Sequence, residues 1–290
     1  MTQSEIYSAI TERIIAEMEK GIIPWHKPWT GTNGGAVSGT TGKPYSILNQ
    51  ILLGKPGRWY TFNQIKKVGG NVRKGEHGSF VVFWKQIIVE SKTEKDESRN
   101  PLKETIPILK HYYVFHESQC DNVPETDIPE TFAHDPIEEA AKIEQEYTKR
   151  EKLTINHVIS DRAFYSPFTD EITVPVLEQF PVKEEYYSTL YHEMIHSTGH
   201  KSRLNRLHRT AAFGSEEYSR EELVAEIGAA ALLHHVGIET ADTFHNNAAY
   251  VQGWLKALKN DTKLLVGASG QAAKAFAFIT GSETAENEEI

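Results

Sequence analysis

The sequence holds one cysteine, Cys120, in 290 residues. That excludes an internal disulfide framework and a cysteine-built zinc site, and it fits a reducing, cytoplasmic setting. No apolar run reaches the roughly 20 residues needed to span a bilayer, so no membrane partner is expected. The opening residues, MTQSEIYSAI, lack the basic-then-apolar order of a secretory signal. Acid is scarce in one region. Residues 21–85 contain nine Lys or Arg and a single acid, Glu76, although the whole chain has a net charge of −9. Charge segregated in this way suggests that separate parts meet separate partners. A charged content of 24% and an apolar content of 39% are those of a globular protein.

The hydrophobic pattern predicts an α+β fold in two domains. In residues 4–19, Ile6, Ile10, Ile14 and Met18 recur at helical spacing. Residues 22–60 are rich in Gly, Pro and Thr and read as loops and turns, apart from the short helix candidate YSILNQILLG. GSFVVFWKQIIVE and IPILKHYYVFHESQC read as antiparallel strands, joined by a charged loop, SKTEKDESRNPLKE. The first domain is placed at 1–122. A Pro-containing, acidic linker follows at 123–135, with two prolines and few large apolar residues. The second domain, 136–281, begins with a helix at 136–150 and a hairpin, AFYSPFTDEITVP, turning near Phe168-Thr169-Asp170. Helices are predicted at about 183–198, 216–235, 245–259 and 262–280, and an acidic tail at 282–290 reads as disordered.

The densest chemistry is LYHEMIHSTGH, residues 190–200. His192 and His196 stand one helical turn apart, with Glu193 about 100° round from His192. Two imidazoles on one face can ligate a single Zn²⁺ or another divalent ion such as Mn²⁺. Glu193 can then serve as general base toward water polarised by that ion. An ordinary packing helix could carry the same residues. The apolar back face, with Leu190, Tyr191, Met194 and Ile195, and the carboxylates downstream favour the metal reading.

A third ligand is needed. The extension H-E-x-x-H-x-x-G-x-x-H fails here, because Ser202 stands at its last position. His200 follows Gly199, where the helix should end, and is better placed near the metal than on it. It, Tyr218 or Arg206 could stabilise an oxyanion. YSREELVAEIGAAALL supplies Glu222 and Glu226 at i, i+4. An E-x-x-x-[E/D] segment after H-E-x-x-H resembles the gluzincin metallopeptidases. That resemblance implies that Glu222 ligates and Glu226 orients a metal-bound histidine. Glu226 as the ligand, and Glu222 as a capping acid after Ser219, stay open. The hairpin upstream could flank the metal helix as an edge to which an extended peptide adds.

The basic region interleaves aromatics with cations, as single-stranded nucleic acid requires. Bases stack on rings while Lys and Arg follow phosphates. The candidate DNA-binding residues are Trp25, Lys27, Trp29, Lys43, Arg58, Tyr60, Lys66, Lys67, Arg73, Lys74 and His77. Gly75 and Gly78 would let backbone amides approach a phosphate. Trp59, Phe62 and Trp84 are expected in the core of a small domain. No helix-turn-helix or zinc finger favours duplex readout.

With both segments in view, the chain resembles the ArdC-type antirestriction proteins of conjugative plasmids and mobile elements. The resemblance rests on IIPWHKPW, SILNQILL, WYTFNQIKKVGGNVRKGEHGSFVVFW and YYVFHESQC, and on YYSTLYHEMIHSTGHKSRLNR and YSREELVAEIGAAAL, and covers nearly the full length. It implies an N-terminal single-stranded DNA-binding domain joined to a zincin-like metallopeptidase domain. It also implies a role in protecting entering plasmid DNA from restriction, and a protein or peptide substrate as a partner besides single-stranded DNA. The metal site implied is His192, His196 and Glu222, with Glu193 catalytic.

Overall fold

The computed structural model describes residues 1–26, 35–95, 101–124, 135–207, 215–238 and 248–282. Helix α1 (Gln3–Met18) begins where Thr2 and Glu5 cap each other's backbone amides. Its Ile6, Ile10, Ile14 and Met18 are all buried, as their spacing requires. A single 3-10 turn follows at Pro24–His26.

The N-terminal half continues with β1 (Ala36–Ser38), α2 (Ile47–Leu53), β2 (Gly57–Thr61), α3 (Phe62–Lys67), β3 (Asn71–Val72), β4 (Ser79–Lys95), β5 (Pro101–His116) and β6 (Cys120–Asp121). The main sheet has the order β1-β2-β5-β4. β1 runs parallel to β2, and the β2–β5 and β4–β5 pairs are antiparallel. Two corrections follow. The region 22–60 holds two strands that its Gly and Pro content concealed. The long charged loop is also much shorter than expected, because the strands run on through it, pairing Glu90 with Lys103 and Lys95 with Pro101. Strand pairing is made by backbone hydrogen bonds, so a polar, charged sequence there was no sign of a loop.

The C-terminal half comprises α4 (Pro136–Glu151), β7 (Thr154–Val158), β8 (Phe164–Ser166), β9 (Glu171–Pro175), α5 (Lys183–Thr198), α6 (Glu216–Val236), α7 (Ala248–Asn260) and α8 (Leu264–Thr280). The hairpin forms as expected, with Asp170 in the left-handed region at φ 56°. The Asp170 carboxylate is gripped by Arg203, whose side chain is only 1% exposed. β7 was not anticipated. It joins β9 in parallel, giving the order β7-β9-β8.

One apolar core joins the two halves. Ile10 of α1 and Leu52 of α2 belong to the same buried cluster as Met194 of α5, Ile227 of α6 and Leu265 of α8. Trp25, fully buried, meets Trp254 of α7 edge-on at 5.5 Å. The expected linker lies outside the described residues except for 123, 124 and 135, and the tail does so beyond Ser282. No described helix is long and apolar enough to cross a membrane.

Candidate metal centre

The site is made by α5 crossing α6. Gly228 permits the approach, since a Cβ there would lie 2.7 Å from the Ile195 side chain. α6 starts at Ser215, whose hydroxyl accepts the Tyr218 amide at 3.1 Å. That start places the Glu221–Glu226 stretch against the histidines of α5. The last turn of α5 closes on Gly199, as anticipated.

His192, His196 and Glu222 converge, and together they could hold one ion. The two Nε2 atoms are 3.1 Å apart. Glu222 oxygens stand 3.5 Å from His192 Nε2 and 3.6 Å from His196 Nε2. Ligands about 2.0–2.1 Å from a tetrahedral ion are about 3.3–3.4 Å from one another. The trio is therefore spaced for one ion, and the donor set of two imidazoles and a carboxylate suits Zn²⁺ or a similar divalent metal.

Both imidazoles are held from behind. His196 Nδ1 donates to Glu221 Oε1 at 3.1 Å. His192 Nδ1 faces Glu226 Oε1 at 3.6 Å. Each Nδ1 is turned toward a carboxylate, so both Nε2 atoms face the same space, where a proton or a metal cation can lie between them. Burial opposes charge on His192, but the Glu222 hydrogen bond and the charges of Glu226, Glu193 and Glu222 prevail and raise its pKa to about 9. Burial would raise the Glu222 carboxyl, yet the two histidines and a Tyr218 hydrogen bond hold it below its usual range. Burial likewise opposes the charge on Glu221, and Arg206 with His196 outweighs it. Any metal that enters must displace a proton here.

Glu193 is 8% exposed and is the one acid of the set whose carboxylate has no hydrogen-bond partner among the described residues. Arg206, considered for oxyanion stabilisation, is fully engaged elsewhere. Its guanidinium binds both Glu221 oxygens, Thr198 Oγ1 and the Ile195 carbonyl, on the Nδ1 side of His196. Tyr218 bonds to Glu222. His200 turns Nδ1 toward Ser202 Oγ at 2.7 Å and Asp170 at 3.8 Å.

Two supports escaped the sequence reading. Glu221 was overlooked beside Glu222, although both face α5. His26 comes from the far N-terminal turn, and its Nε2 lies 3.1 Å from Glu226 Oε2. The Trp25 backbone also hydrogen-bonds His234 of α6, fastening that turn to the metal helix pair. No local pattern could have shown this contact across the chain.

The DNA-binding candidates divide. Trp25 and Tyr60 are both 0% exposed, so neither presents a ring to a ligand, a correction that follows from packing against Trp254 and from burial with Ile65 and Cys120. Arg58 is half-buried in β2. Lys43, Lys66, Lys67, Arg73, Lys74 and His77 are exposed. Arg73 bonds Asp121 at 3.4 Å and also the Ser118 carbonyl. Lys27 and Trp29 lie outside the described residues. Of the rings expected in the core, Trp59 is buried, but Phe62 is 48% exposed and Trp84 40%.

Comparison with known proteins gives matches over almost the whole length. Residues 4–115 match the N-terminal domain of anti-restriction factor ArdC, and residues 142–271 match a zincin-like metallopeptidase family. The metal-free crystal structure of the antirestriction protein ArdC from plasmid R388 is 34% identical, with a TM-score of 0.75, over 97% of this chain and 99% of that one. The Mn(II)-bound structure of the same protein is 35% identical with a TM-score of 0.72, over 95% and 97% of the two chains. A DNA primase TraC of Escherichia coli is 35% identical over 98% of this chain, which spans only 20% of that relative's length. Protein y4eC of Sinorhizobium fredii is 29% identical over 93% of this chain and 90% of its own.

Proposed function

Since the chain belongs to the ArdC antirestriction family and carries that family's zincin-like domain, we propose that it acts in the cytoplasm to protect transferred single-stranded DNA, binding that strand through residues 1–122 and hydrolysing a protein partner through 136–281. The observation that carries the enzymatic part is the convergence of two Nε2 atoms and a Glu222 oxygen beside an unengaged Glu193. His192 and His196 would hold a divalent ion, Zn or Mn, through Nε2, and Glu222 through a carboxylate oxygen. When bound, the ion supplies Lewis-acid polarisation of a carbonyl and acidifies water. Glu193 accepts the proton of the attacking water on its carboxylate and passes it to the departing amine. Glu221 and Glu226 keep the imidazoles in their ligating tautomer. β8, which pairs only with β9 among the described residues, offers an edge to an extended peptide, with Phe164 half exposed beside it.

The exposed cations of α3 and the β3–β4 turn supply the DNA part, and they favour a second reading in which strand coating alone protects and the metal centre is structural. Glu193→Gln separates the two. Titrated with Zn²⁺ or Mn²⁺, the variant should bind metal as the wild type does. Its hydrolysis of a denatured protein such as casein should fall about 10²–10⁴-fold. Undiminished hydrolysis would overturn Glu193 as the base. Plasmid transfer into a restricting recipient then decides between readings, because full protection by Glu193→Gln assigns antirestriction to coating.

A further inference from the structure

A single strand needs unburied rings bordered by cations. With Trp25 and Tyr60 enclosed, those rings lie elsewhere. The β4–β5 register sets Phe80 opposite Tyr113 and Val82 opposite His111, so Phe80, Tyr113 and His111 share one face of the sheet. Phe115, two residues after Tyr113, lies on that face as well. The ring contacts on this face form two groups. His111 stacks on Phe80 at 5.4 Å, Tyr113 meets Phe80 at 6.2 Å, and Phe115 meets Phe62 of α3 at 6.5 Å. Gly78 fills the remaining gap, since a Cβ there would lie 3.0 Å from the Tyr113 Cβ and 3.2 Å from the Phe115 ring.

The open members of this strip are Phe62, 48% exposed, and Tyr113, 55% exposed. Lys66 places its ammonium 4.8 Å from the centre of the Phe62 ring. Lys67 and Lys74 stand exposed on the same helix and on the turn after β3. Glu76, the one acid of the basic region, accepts a hydrogen bond from Gln119. On the opposite face of the sheet, Phe83 and Tyr112 stack at 4.6 Å and 12°, so each already covers a face of the other.

We infer that Phe62 and Tyr113 are the base-stacking platform of this chain, each receiving one unpaired base while Lys66, Lys67 and Lys74 follow the phosphates. This rests on the single-stranded DNA reading above and gives it a place. Duplex is disfavoured, because its bases are stacked on one another and offer no free face to a ring.

The test is binding of a labelled oligothymidylate to the full chain by fluorescence anisotropy at several salt concentrations. Phe62→Leu and Tyr113→Leu keep apolar bulk and remove the ring. Each should weaken binding about 5- to 150-fold, the equivalent of ~1–3 kcal/mol per stacked base at 1.4 kcal/mol per tenfold. The slope of log affinity against log salt should not change, because no phosphate contact is lost. Phe62→Tyr and Tyr113→Phe should bind as the wild type does. Both positions are exposed, so melting temperatures should hold. Wild-type binding by both leucine variants overturns the platform alone. Absence of binding by the wild-type chain overturns the single-strand reading itself.

Discussion

The two polar regions of this molecule are built on opposite terms. Where α5 crosses α6, imidazoles, carboxylates and a guanidinium are withdrawn from solvent, and they hold one another. His196 rests on Glu221, Glu221 on Arg206, His192 on Glu226, and Glu226 on His26. On the α3–β5 surface, lysines and rings stand in water. A buried ionic set survives only when every member is satisfied, so loss of one member exposes the rest to an uncompensated charge. Exposed cations are screened and act nearly independently. The difference predicts large, coupled effects at the first region and small, additive ones at the second.

The largest effect should come from Glu222, the ligand proposed from α6. Glu222→Ala is expected to lower Zn²⁺ or Mn²⁺ affinity more than about 100-fold, since loss of a supporting partner alone costs about 10–100-fold. Calorimetric titration measures this, and the rise in melting temperature on adding metal should vanish with it. If the variant bound metal undiminished, Glu226 or His200 would have to complete the site, and the contrast between the regions would lose its anchor.

The supporting carboxylates come next. Glu221→Gln and Glu226→Gln should each weaken metal binding about 10–100-fold. His26→Ala, one step further out, should weaken it by about tenfold or less, with His26→Gln restoring part of the loss. This is the sharper experiment, because His26 belongs to the N-terminal half. A metal affinity that ignored His26 while melting stayed normal would show that the turn at 24–26 only packs against α6.

The contrast also explains what the sequence disclosed. His192, Glu193 and His196 were legible because the helical period fixes their geometry whatever surrounds them. Glu222 and Glu226 were legible for the same reason, since a four-residue spacing on α6 sets both on one side. Glu221 was not, because adjacent acids differ by only about 100° around a helix and both can reach a close neighbour. His26 could not be seen, because no rule of spacing joins it to Glu226. Strands β4 and β5 were marked by β-branched and aromatic residues, whereas β7 hid in the half-polar TINHV. Ring exposure was the least legible feature. Trp25 and Phe62 are alike in composition terms, yet one is enclosed by a helix from the other half and the other is the first residue of α3, half exposed.

The smallest expected effect tests the open region. Lys66→Ala and Lys67→Ala should each reduce the salt slope of oligothymidylate binding by about 0.7, the share of one phosphate contact to a single strand. Lys66 should cost slightly more affinity than Lys67, because its ammonium also lies over the Phe62 ring. Neither change should alter metal affinity or melting temperature, since neither side chain is needed to balance a buried charge. The double variant should show the sum of the two slopes, as independent exposed charges require. A drop far greater than that sum would mean that the lysines act as a set, and the surface would then resemble the metal centre more than its exposure suggests.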